Sequence, residues 1–178
     1  MKKGLEMLLG MTAFRRHIRP VEERSVDDSL YQAAESAWNL QIRSEGELEL
    51  PPQHSGLLIV SNHPRGLLDM FMVGGWLSER LDGPIRFVVN RLIGESFPTI
   101  GKHIIGVDNM SRPGPQRREF NRAALKGAVA FLRTGGIVYV FPAGQVASWR
   151  LMSPEGWFRR TDHPWHPTFV RNTDFARP

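Results

Sequence analysis

Residues 55–71 read SGLLIVSNHPRGLLDMF. The first half is a continuous β-favouring run opened by a turn, which predicts a strand buried on both faces. From Leu67 the sequence predicts a helix through Leu81, with Gly74 and Gly75 either weakening it or admitting a neighbouring backbone. A strand that passes through a short polar loop into a helix is the opening unit of an α/β layer. Outward from it the alternation continues. PIRFVVN (84–90) predicts a second strand, RLIGESFPTIG (91–101) a short helical or irregular link, and HIIGVDN (103–109) a third strand. Next comes a helix over 114–136, its stripe made by Phe120, Ala123, Ala124, Gly127, Ala130 and Phe131 and its end marked by Gly135 and Gly136. IVYVFPAG (137–144) predicts a fourth strand. The expected fold class is therefore α/β, a mixed, partly parallel sheet flanked by helices.

Upstream, SLYQAAESAWNL (29–40) places Leu30, Ala33, Ala34, Ala37 and Trp38 on one helical face, with Asp27 or Asp28 as the expected cap. GELELPP (46–52) predicts a short edge strand stopped by two prolines. The first twenty residues carry Met7, Met11, Phe14 and Ile18 at helical spacing, with Leu8 alongside and Lys2, Lys3, Arg15, Arg16 and Arg19 at the ends. That pattern suits an amphipathic helix lying in a membrane interface, and equally one packed on its own domain. Glu6 interrupts the apolar region, which argues against a cleaved signal peptide. The expected division is 1–45, a helical segment suited to the interface, and 46–178, the α/β domain.

Composition narrows the function classes. The 178 residues include 23 basic and 18 acidic side chains, a net charge of +5, so anionic partners are favoured: nucleic acid, anionic lipid or phosphate-bearing molecules. There is no cysteine, which excludes disulfides, thiolate metal sites and a cysteine nucleophile. No apolar run approaches the ~20 residues that span a bilayer. His54, His63, His103, His163 and His166 show no HExxH or comparable ligand spacing, so no metal is expected. No RNA- or DNA-binding module is recognisable, and nucleic acid ranks last among the partners.

The chemistry gathers in the loop that follows the first strand. An imidazole is largely neutral at physiological pH and suits general-base work, and Asp69, on the first turn of the helix, can fix its tautomer. His63 and Asp69 would then form two members of a triad whose third member is a hydroxyl on the substrate. Alternatively, His63 closes a turn and Asp69 is a carboxylate at a helix N-terminus. Gly66 lets the loop turn back, and Pro64 stiffens it. Two further polar segments, GVDNMSRPGPQRR and FPAGQ, also follow predicted strands, where ligands of such sheets gather. Arg112, Arg117 and Arg118, near a helix N-terminus, are suited to an anionic headgroup or to coenzyme A phosphates, or else form a solvated face.

LLIVSNHPRGLLD together with GGIVYVFPAGQVA resembles the glycerolipid (lysophosphatidic acid type) acyltransferase superfamily, in particular its branch of hemolysin-like and lyso-ornithine-lipid acyltransferases. The resemblance covers roughly residues 36–170. The wider superfamily writes the first block N-H-x4-D; NHPRGLLD follows the branch with one extra residue. The resemblance implies a glycerolipid acyltransferase-like fold and transfer of an acyl chain from acyl-CoA or acyl-carrier protein to a lysolipid hydroxyl, with no bound cofactor. It implies His63 as general base and Asp69 as its partner, with Asn62, Arg65 and Gly66 on the substrate side. Phe141, Pro142 and Gly144 would shape the acceptor wall. Gln145 would offer neutral hydrogen bonds where the branch has glutamate, and Ala143 stands where the wider family has an acidic residue. Asn109 falls where phosphatidic acid synthesis enzymes place an arginine. The implied setting is the cytoplasmic face of an anionic membrane, as a peripheral protein. The family's domains continue into a further strand, so this chain is expected to lack their C-terminal part and to self-associate through an incomplete sheet edge. The rival readings are a noncatalytic lipid-binding relic and, third, a basic nucleic-acid-binding domain.

Overall fold

The computed structural model describes residues 15–25, 29–46, 56–150 and 159–165. Helix α1 covers 15–24, and α2 spans Leu30–Trp38. Then β1 (Leu57–Val60) leads to α3 (Leu67–Ser78), and β2 (Ile85–Asn90) to the short α4 (Arg91–Ser96) and α5 (Pro98–Gly101). β3 (Ile104–Val107), α6 (Pro115–Arg133) and β4 (Ile137–Val140) follow. β5 (Ser148–Arg150) and β6 (Arg159–Thr161) form a separate antiparallel pair. Among the described residues no helix is long and apolar enough to cross a membrane.

The main sheet has the order β1-β4-β2-β3, and all three of its ladders are parallel. Ile137 is the shared register point, opposite Leu57 on one side and Ile85 on the other. The α/β class expected from the alternation is present. The expectation that β1 is buried on both faces is met in part, with Leu57 and Ile59 packed against one core and Leu58 against the other. LLIV is the first strand of the described sheet, and all four of its residues remain partly exposed. IVYV lies between β1 and β2, with Ile137, Val138 and Tyr139 almost fully buried. Both strands are continuous apolar runs, and the order of the sheet decides which is covered more completely.

Alternate side chains of β4 face two cores. Ile137, Tyr139 and Phe141 point into the larger one, with Ile18, Val21, Leu30, Phe71, Phe87 and Ile100. Burying side chains of this size contributes on the order of 1.5–3 kcal/mol each. Val138 points to the other face, where Ile105, Ala128 and Leu132 form the contact with α6. Thus α1 to α5 supply one layer and α6 the other. Burial of Ile18 and Val21 sets this part of the N-terminal region in the same core as the sheet. Met7, Leu8, Met11 and Phe14 lie outside the described residues, as do nearly all of GELELPP and the segment 166–178.

Two helix readings change in detail. Asp27 and Asp28 are outside the described residues, and the cap of α2 is Ser29, whose side chain accepts from the Gln32 N–H. On α6 the buried residues are Ala128 and Leu132, while Phe120, Ala123, Gly127 and Ala130 are exposed. Of the expected stripe, Ala124 and Phe131 pack against the core, partly buried, and the inward face is rotated from the rest, with polar Arg117 and Asn121 in its first turns bonding to the preceding loop.

Topology fixes where a ligand can sit. The helices leaving β1 and β2 pack on one face of the sheet, and the helix leaving β3 packs on the other. Adjacent strands β2 and β3 therefore send their connections in opposite directions. A crevice opens at their carboxyl ends, where open α/β sheets bind ligands.

Candidate active site

His63 follows the carboxyl end of β1, and Asp69 lies in the first turn of α3. Gly66 joins them: its φ of 70° is a left-handed value that favours glycine, and it forms the N-cap of α3. The fold this produces is compact. His63 Nδ1 lies 3.0 Å from Asp69 Oδ2, and the Arg65 backbone N–H donates to the same oxygen at 2.8 Å. The two side chains are only 15% and 9% exposed. A carboxylate oxygen can only accept, so in the neutral ring this contact selects the tautomer with the proton on Nδ1 and the lone pair on Nε2.

The second sequence block closes on the first. The imidazole stacks on Phe141 with centroids 4.0 Å apart, and the Ala147 N–H donates to the His63 carbonyl at 2.8 Å. Phe141 in turn belongs to an aromatic column with Tyr139 and Phe87. The ring is thus held by a carboxylate at one nitrogen and by packing on one flat face. Gly144, at φ 62°, lets the chain turn after Phe141.

Beside the ring lies a cleft of about 460 Å³. Its walls are chiefly apolar, with Val88, Val89, Val107 and Val140 from the ends of β2, β3 and β4, and Met70 and Leu67 from α3. Met110 and Val146, both strongly exposed, stand at its edge. The polar side chains that line it are His63, Asn90, Asn109 and Gln145. No serine, threonine, lysine or arginine is among its described lining residues.

An amide chain crosses the crevice between β2 and β3. Asn90 accepts from the Leu92 N–H as the cap of α4 and donates through Nδ2 to Asn109 Oδ1. Asn109 Nδ2 then donates to the Gly144 carbonyl at 3.3 Å. Behind it sits Asp108, buried at the start of the β3–α6 loop. Hydrogen bonds from the Ser111 hydroxyl, then from the Ser111 and Met110 N–H groups, hold its carboxyl below the usual carboxylate range, with Arg91 adding to the effect.

Of the residues singled out from sequence, His63, Gly66, Phe141, Gly144 and Gln145 line the cleft, and Asp69 stands directly behind His63. Asn62 and Arg65 are exposed beside it, and Arg65 reaches Asp69 only through its backbone. Pro142 is buried in the turn. The arginines are placed differently. Arg117 donates from Nε to the Asp108 carbonyl at 3.0 Å and from Nη1 to the Ser111 carbonyl at 2.7 Å, so it braces the loop. Arg112 and Arg118 are exposed and do not line the cleft. Asn90 is the polar wall residue that sequence reasoning missed. A polar residue closing the apolar run FVVN, just before a helix, is the signal that marks it.

Among the described residues no group of three or more histidine or acidic side chains is arranged to hold a metal ion. Comparison with protein-family models, with curated proteins and with solved structures finds no match to this chain.

Proposed function

We propose that this chain is an O-acyltransferase that moves an acyl chain from a thioester, acyl-CoA or acyl-carrier protein, to the hydroxyl of a lysolipid, working at the cytoplasmic face of a membrane as a peripheral protein. The observation that carries the reading is the His63–Asp69 pair at the side of an apolar cleft whose described lining holds no protein nucleophile. A base without a serine or cysteine beside it calls for a hydroxyl brought by the substrate. The apolar walls suit an acyl chain, and the resemblance of residues 57–69 and 135–147 to the glycerolipid acyltransferases points the same way.

The step balances without an acyl-enzyme. As the acceptor oxygen attacks the thioester carbonyl, its proton passes to His63 Nε2, and Asp69 stabilises the imidazolium through Nδ1. The tetrahedral intermediate collapses with a new C–O bond, the C–S bond breaks, and the thiolate leaves as a free thiol after taking the proton from the imidazolium. The products are an ester and the donor thiol.

Free-thiol release from acyl-CoA or acyl-carrier protein, measured across a panel of lysolipids, tests the proposal. Turnover that His63→Ala lowers about 10²–10⁴-fold, the range for a lost general base, is the expected result. Equal turnover in both proteins would remove the mechanism. Vesicle binding without turnover would favour the noncatalytic lipid-binding reading.

A further inference from the structure

We propose that the cleft selects an acceptor whose polar end is uncharged, bearing hydroxyl and amide groups, and discriminates against a phosphate monoester. This rests on the acyl-transfer reading above and adds the class of headgroup to it.

Among the described residues, the cleft lining has polar groups but no fixed positive charge. Its polar lining side chains are one imidazole and three carboxamides, Asn90, Asn109 and Gln145, and no arginine or lysine is among the described residues that line it. Among the neighbouring guanidinium groups, those of Arg117 and Arg91 are committed, and those of Arg65, Arg112 and Arg118 are exposed and outside the lining. Arg117 is spent on the carbonyls of Asp108 and Ser111. Arg91 donates to Glu95 at 2.6 Å, approaches Asp108 at 3.8 Å and lies over the Phe120 ring. Two carboxylates stand against the polar lining, Asp69 behind His63 and Asp108 next to Asn109, the second with Arg91 at 3.8 Å.

A phosphate monoester carries about −1.5 to −2 at neutral pH. Moving that charge between apolar walls, with two carboxylates nearby and no cation among the described lining residues to pair with it, incurs a desolvation cost that amide dipoles do not offset. An uncharged headgroup meets the opposite situation. Each carboxamide offers both donors and acceptors. Asn90 and Asn109 each use one N–H of their side-chain amide within the chain that ends at Gly144, which leaves the second N–H of each for a ligand. Hydroxyl and amide groups can both donate to and accept from such a row.

Equilibrium binding by calorimetry, with no thioester present, separates headgroup preference from turnover. The probes are short-chain lipids of equal acyl length, below their micelle concentrations: a monoacylglycerol, an N-acylethanolamine and a monoacylglycerol 3-phosphate. The expected result is at least tenfold tighter binding of the two neutral lipids. Asn109→Arg, or Gln145→Lys on the exposed turn should Asn109→Arg fail to fold, is expected to shift the ratio at least tenfold toward the phosphate lipid. Equal or tighter binding of the phosphate lipid by the unaltered protein overturns the inference, as does binding of none of the three. Adding acyl-CoA then tests the other reading by itself: neutral lipids that bind but are never acylated would remove acyl transfer and leave the headgroup preference standing. Acylation of a preferentially bound phosphate lipid would do the reverse.

Discussion

A single oxygen, Asp69 Oδ2, accepts from both the His63 ring and the Arg65 backbone, so this carboxylate orders the imidazole and the loop that carries it. Asp69→Asn keeps the size of the side chain but weakens the preference for a proton on Nδ1. The expected outcome is a nearly native fold, destabilised by about 1–3 kcal/mol in urea titration as a charged buried acceptor is lost. Thiol release should fall by about 10³–10⁴-fold, as expected when a base is held in the wrong tautomer. Loss of turnover in proportion to unfolded protein alone would show that Asp69 only supports the loop. This pair was legible because both partners lie within seven residues of one strand–loop–helix unit. The stacking of His63 on Phe141 was legible only as two separate blocks, since the parallel pairing of β1 with β4 is what joins them. Asn90 is marked in the sequence only as a polar residue closing an apolar run before a helix. Its place opposite Val107, at the carboxyl ends of β2 and β3, comes from sheet register, which no local pattern encodes.

At the scale of elements, the contact between α2 and α3 turns on glycine. A Cβ on Gly74 would stand 2.2 Å from Tyr31 Cε1, so the absence of a side chain there is what lets the Tyr31 ring lie against α3. Gly127 is the counter-case, a helical glycine on the exposed face of α6 with nothing within 4 Å of the same added atom. Gly74→Ala should therefore lose about 1–3 kcal/mol through overpacking, despite alanine's better helix propensity. Gly127→Ala should gain about 1 kcal/mol from propensity alone. Chemical denaturation of the two variants side by side checks both signs; stabilisation by Gly74→Ala would mean that Tyr31 does not pack on that backbone. The order of elements was readable in sequence because apolar runs and glycine or proline breaks punctuate it. The orientation of α6 was readable only in part, through Ala124 and Phe131. Its stripe of small residues reads as a buried face, yet the inward position of Arg117 and Asn121 is fixed by tertiary hydrogen bonds to Asp108.

For the molecule as a whole, the sheet divides two cores and leaves its reactive groups at one end, while the opposite end of the helical layer holds a titratable group of its own. His103 immediately precedes β3, edge-on to the Tyr31 ring, and its pKa is lowered by burial first, then by Lys102 and Arg86. The Tyr31 hydroxyl is pushed above its ordinary range by the same desolvation, so it remains neutral at physiological pH and gives the imidazolium no counter-charge. A depressed pKa in the folded state means that the unfolded chain binds more protons as pH falls below the ordinary histidine value near 6.5. The stability contribution is therefore complete above that value and is lost as pH falls through the lower, folded one. Thermal midpoints measured from pH 7.5 down to 5 should decline, and His103→Gln should make the decline shallower. An identical slope in His103→Gln and the unaltered protein would mean that other groups govern acid sensitivity and that the imidazole near Tyr31 is already solvated when charged.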